Sequence, residues 1–136
     1  MHYASGELKP LWRGRFHLAS LLFLVVYGTI LVVWAAMRRD ETERRIASAI
    51  VFVEGTLLCF AVSAEYHLTE FKTVAAENLA RRMDHVCIHI MLASGTMPLA
   101  LLVFSHIAML VYLAVTGTVA LVGISYLFIK DLEPKQ

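Results

Sequence analysis

The stretch from Val86 to Ile129, VCIHIMLASGTMPLALLVFSHIAMLVYLAVTGTVALVGISYLFI, contains no Asp, Glu, Lys or Arg over 44 residues. As one helix it would extend about 66 Å, roughly twice the ~30 Å hydrocarbon core of a bilayer, so it has to fold back on itself. Its most polar point near the middle is Ser105 and His106. This predicts a third membrane helix over 86–104, containing Pro98, and a fourth over 107–129. Pro98 should kink its helix, which bundles tolerate where neighbours satisfy the freed carbonyl. The apolar runs are too long, and alternate too little, for β-strands.

Working outward, two more runs of spanning length precede this one. The first, Leu18 to Met37, is closed by a charged cluster that includes Arg38, Arg39, Arg44 and Arg45. It exceeds the 7–15 residues of a signal-peptide core and reads as a retained span. The second, Ile46 to Tyr66, is interrupted by a single charge, Glu54. The expected fold class is therefore all-α: one membrane domain over 1–136, a polytopic bundle with spans at 18–37, 46–66, 86–104 and 107–129. The segment 68–83 carries Leu68, Phe71, Val74, Ala75, Leu79 and Met83 at roughly helical spacing and suggests a short interfacial helix.

Composition agrees with membrane burial. Hydrophobic residues make up 59% of the chain and mean hydropathy is +0.68, more than a soluble core of this size requires, so the excess has to face lipid. Twelve Lys and Arg against eleven Asp and Glu give no basic field of the kind that nucleic acid needs, which removes that partner. The expected partners are membrane lipids, with a homo-oligomer possible. Cys59 and Cys87 lie inside apolar runs without C-x-x-C spacing and read as small packing residues. With four spans, eight Lys and Arg fall on the side of the termini and four on the other. A multi-pass protein of the cell membrane with both termini cytoplasmic is the expectation.

Polar side chains at membrane depth are costly unless paired, and here they gather where the second helix ends and the third begins. Ser63 and His67 stand four apart and share a helix face, as do His85 and His89; Asp84 opens the third helix. An imidazole, a carboxylate and a hydroxyl around one cavity suit a borderline divalent ion such as zinc, with His67 as ligand and Asp84 binding the metal or orienting its water. The alternative is a set of interfacial residues that tie helix ends together. Glu54 lies on the face opposite Ser63: either a proton or ion relay, or a carboxyl bonded to a hydroxyl such as Thr29. His17 and His106 read as interfacial, and Trp12 and Trp34 as anchors at opposite ends of the first span.

KPLWRGRFH at 9–17, FAVSAEYH at 60–67 and RRMDHVCIHIMLASGTMP at 81–98 together resemble the hemolysin III family, in the wider group that includes the adiponectin and progestin receptors. The resemblance runs from about residue 9 to the end. It implies about seven membrane helices and a zinc site like that of the alkaline ceramidases, with His67 as a ligand and Ser63 and Asp84 around a bound water. The remaining ligands it implies are two histidines spaced H-x-x-x-H in a last helix. The one H-x-x-x-H here is His85 to His89, of which His89 is a candidate substitute. The expectation is a relative truncated after the fourth helix, derived from a metal-dependent membrane hydrolase of lipid amides or esters. A channel or pore-forming protein, and a non-catalytic relative, remain as alternatives.

Overall fold

A computed structural model of the chain describes residues 2–4, 6, 8–38 and 42–130. Four helices account for nearly all of them: α1 (Leu11–Met37), α2 (Thr42–Leu68), α3 (Val74–Val103) and α4 (His106–Lys130). All four are long and apolar enough to cross a membrane. The loop charges Arg39, Asp40 and Glu41, and Lys135 near the C-terminus, lie outside the described residues.

Local sequence sets where α1 and α3 begin. Pro10 stands at the N-cap of α1, where its fixed φ costs nothing and its missing N–H is not needed. The helix therefore begins before the apolar run and carries Arg13 and Arg15 in its first turns. Thr73 caps α3, its hydroxyl accepting from the Ala76 N–H at 3.2 Å. The separate helix expected over 68–83 is not found: residues 69–73 are non-helical, and Val74 to Met83 form the first turns of α3. Once Thr73 has capped the helix, nothing breaks it before Asp84, because Ala75, Ala76, Leu79 and Ala80 all favour helix. Pro98 sits within α3 without ending it. The uncharged run reverses at Phe104 and Ser105, between α3 and α4.

Packing makes an open row. α2 lies against both α1 and α3, and α4 against α3, while α1 and α4 do not touch. Glycine lets the backbones approach: a Cβ on Gly28 would lie 2.6 Å from Val53, and one on Gly55 would overlap the Ser94 hydroxyl. Close contact through small residues replaces the hydrophobic drive that lipid-embedded helices lack. The outward faces carry exposed Leu22, Phe23, Val26, Val119 and Leu121, as lipid contact requires.

The segment before α1 is fastened across the junction of α2 and α3. Lys9 is buried and donates to the carbonyls of Tyr66 at 3.1 Å and Thr69 at 2.7 Å. It thereby satisfies orphan acceptors at the C-terminal end of α2, where a cation also suits the helix dipole. Its ammonium lies 5.1 and 4.7 Å from the Tyr66 and Phe71 ring centres and 3.8 Å from the Glu77 carboxylate. The Ala4 N–H donates to the same carboxylate at 2.6 Å, and the His2 N–H to Glu70 at 2.9 Å.

Candidate functional site

Three helices bring their polar residues together at the end of the row that Lys9 closes. On α2, Cys59, Ser63 and His67 follow at one-turn intervals and are all buried. On α3, Asp84 is buried at the matching depth, and the Ser63 hydroxyl donates to its carboxylate. Contact between α2 and α3 is what makes this bond possible, since 21 residues separate the partners. On α1, Gly14 faces the last turn of α2: a Cβ there would lie 2.6 Å from Leu68 and 3.1 Å from His67 Cβ. That close approach carries His17, three residues on, to a ring-centre distance of 5.5 Å from His67.

Nδ1 of His17 and Nδ1 of His67 are both buried and without a hydrogen-bond partner among the described residues. Two orphaned imidazole nitrogens beside a carboxylate are costly unless something fills the space between them. A cavity of about 630 Å³ lies there, lined by His17, Ser63, His67 and Asp84, with Arg13 and Arg81 also in its wall. Its inner wall is apolar, from Phe60, Ile88 and Met91.

The candidates named from sequence divide accordingly. Ser63, His67 and Asp84 converge on one cavity. His85 lines it too, but is exposed and its Nδ1 lies 2.7 Å from the Arg81 carbonyl in the preceding turn. His89 does not join them: it packs toward α4, where a Cβ on Gly123 would lie 2.5 Å from its ring. Glu54 is exposed on the far side of α2. The bond expected between Glu54 and Thr29 is absent, because the Thr29 hydroxyl donates instead to the Val25 carbonyl at 2.7 Å. His17, read from sequence as interfacial, is a wall of the cavity. Its signal lay in the KPLWRGRFH segment, where Gly14 stands one helical turn before the histidine, but no spacing within α1 points to a partner on α2.

The donor set can be weighed against zinc. Among the described residues no group of three or more His, Cys, Asp or Glu is placed to hold a metal ion. His67 and His17 each line the cavity and each have a buried Nδ1 without a hydrogen-bond partner among the described residues, while Asp84 is already engaged by Ser63. Structural and catalytic zinc sites alike use three or four protein ligands, so these residues do not make a zinc site by themselves.

Fold and cavity together define a polytopic α-helical membrane protein with a buried Ser–Asp pair and two histidines at one end of its helix row. A model of the family described as haemolysin-III related matches residues 6–135, nearly the whole chain. The chain belongs to that family. No solved structure matches it.

Proposed function

We propose that this chain is a haemolysin-III-type membrane protein of hydrolase ancestry, presenting one wall of a site for lipid amides or esters. The observation that carries this reading is the buried Ser63–Asp84 hydrogen bond beside the unpartnered His67 imidazole, on the wall of a cavity of about 630 Å³. Asp84 holds the Ser63 hydroxyl in a fixed direction and is the carboxylate that can take a proton from a water or hydroxyl in the cavity. His67 and His17 are the nitrogens that would face a metal if further ligands came from outside the described residues. Phe60, Ile88 and Met91 give the apolar wall along which a lipid can lie, and Arg13 and Arg81 favour an anionic or strongly polar head at the mouth.

Elemental analysis of the purified protein tests the metal part of this reading. Substoichiometric zinc, unchanged by His67→Ala, is expected, because one or two imidazoles do not retain the ion through purification. Stoichiometric zinc that His67→Ala abolishes would overturn the incomplete-site reading and make the chain a full metal centre. The pore reading has a weaker footing. Glu54, the carboxylate that would serve as its relay, is exposed on the helix face turned away from the cavity. Ion flux in liposomes that Glu54→Gln removes would restore it.

A further inference from the structure

A second cavity lies toward the other end of the row, between α1, α2 and α3. Its volume is about 500 Å³, within the range of pockets that hold small molecules. On α2, Arg45, Ser48 and Phe52 follow at spacings of three and four, so they share one helix face, and all line the cavity. Leu31 and Trp34 of α1 and Gly95 of α3 make the facing walls. Ser48 stands fifteen residues from Ser63, about 22 Å along α2, so the two cavities belong to opposite halves of the membrane.

The polar groups at this cavity are donors. In the helices of this protein a hydroxyl ordinarily turns back on its own backbone. Thr29, Thr56, Thr96, Thr116 and Thr118 each donate to the carbonyl four residues earlier, and Ser94 to the one three residues earlier. Ser48 does not: it is 3% exposed, and its Oγ has no hydrogen-bond partner among the described residues. A buried hydroxyl without an acceptor is costly in apolar surroundings. About one turn nearer the start of the helix stands Arg45. It also interacts within the chain, and its five N–H donors serve more than one acceptor. Among the described residues no carboxylate lines this cavity. The start of α2 adds the positive end of its helix dipole. An anionic oxygen suits all three features.

Deeper in, the wall is apolar, from Leu31 and Phe52. Beside them Gly95 leaves room: a Cβ there would meet nothing within 4 Å. In this it differs from Gly28 and Gly55, each of which a neighbouring helix closes.

We propose that this cavity holds one anionic phospholipid, its phosphate held by Arg45 and Ser48 and an acyl chain in the recess beside Leu31, Phe52 and Gly95. The phosphate oxygens accept from guanidinium and hydroxyl alike, and the chain fills the apolar recess that a soluble anion would leave empty. A zwitterionic headgroup brings its own cation toward Arg45, and a sterol offers a single neutral oxygen, so neither matches the charge. A lipid that touches α1, α2 and α3 together stabilises the row by binding its folded form.

The test is lipid retention by the purified chain in detergent. Native mass spectrometry counts the lipid after addition of phosphatidylglycerol or of phosphatidylcholine with the same acyl chains, and circular dichroism establishes that each variant is folded. One phosphatidylglycerol per chain is expected, bound about tenfold more tightly than phosphatidylcholine. Arg45→Gln should weaken it about tenfold and Ser48→Ala about threefold. Gly95→Leu fills the recess without a clash at Cβ and should abolish retention. His67→Ala, at the other end of the row, should leave retention unchanged, which separates this site from the cavity of the proposed function. The proposal would be overturned if the parent held no lipid, if it held both lipids equally, or if retention were unchanged in either Gly95→Leu or Arg45→Gln. Loss of retention in His67→Ala, or displacement by an equal concentration of glycerol phosphate, which has the head without the chain, would overturn it too. So would a lipid-free dimer that Gly95→Leu dissociates, since the occupant would then be a second copy.

Discussion

The two sides of α2 solve the same physical problem in opposite ways. On one side Ser63 and His67 are buried, Ser63 is bonded to Asp84 of the next helix, and both line a cavity. On the other, Glu54 stands exposed nine residues further from the end of α2 than Ser63 and meets no hydrogen-bond partner among the described residues. A polar residue paired between membrane helices is stabilised there, and here that pairing lies beside a pocket. The contrast gives one helix two sides that can be perturbed separately, each while the other is watched.

The largest expected effect comes from Gly55. Gly55→Val places a branched side chain against Ser94 where even a Cβ would overlap, and should cost about 3 kcal/mol or more of stability as α2 is pushed from α3. Unfolding in mixed micelles measures this. The Ser63–Asp84 bond should be lost with it, while the Glu54 side keeps its geometry if α2 remains helical. A variant as stable as the parent would show that the two helices are not in contact at this level.

Asp84 comes next. Asp84→Ala leaves the Ser63 hydroxyl buried without its acceptor and should destabilise by about 2 kcal/mol, with Asp84→Asn, which retains an acceptor oxygen, costing roughly half as much. The Glu54 side of α2 should be undisturbed in both, since neither substitution touches it. If Asp84→Ala destabilised no more than Asp84→Asn, the bond to Ser63 would not contribute to stability and the comparison would fail.

The smallest effect concerns the strap before α1. The His2 backbone N–H donates to the Glu70 carboxylate and holds it below its ordinary value of 4.5. A group depressed in the folded state contributes above its unfolded value, and that contribution disappears as pH falls through the lower folded value. The His2 contact should therefore be present at neutral pH and release only as pH falls through the depressed folded value, below 4.5. Amide chemical shifts of His2 in a detergent-solubilised sample would follow it, and Glu70→Gln should remove the pH-dependent step. Lys9, which donates to backbone carbonyls at the end of α2, should keep its place throughout, so the cavity ought to be insensitive to this release.

Much of the architecture was legible because lipid imposes a single strong rule. The absence of charge over 86–129 required a reversal, and its place at Ser105 could be read as the local minimum of apolar character. The segment 68–83 was harder. Its helical spacing was real, but spacing does not reveal whether a helix is separate or is the beginning of the next one, and the Thr73 cap decided that. Ser63, His67 and Asp84 could be singled out as polar residues at similar depth. His89 could not be assigned from its four-residue separation from His85, because that separation is equally compatible with a face toward the cavity and a face toward α4.

The sequence by itself determined that the chain is helical and membrane-spanning, because hydrocarbon excludes unpaired backbone and charge whatever the tertiary arrangement. It also determined that Ser63 and Glu54 lie on opposite sides of α2, because helical geometry converts nine residues into half a turn. Tertiary structure alone decided which of those sides is enclosed. Gly14 and Gly55 allow α1 and α3 to close on α2 from its flanks, and their approach brings His17 beside His67 and Asp84 beside Ser63. Those pairings arise between helices, where no periodicity within a single helix can specify them.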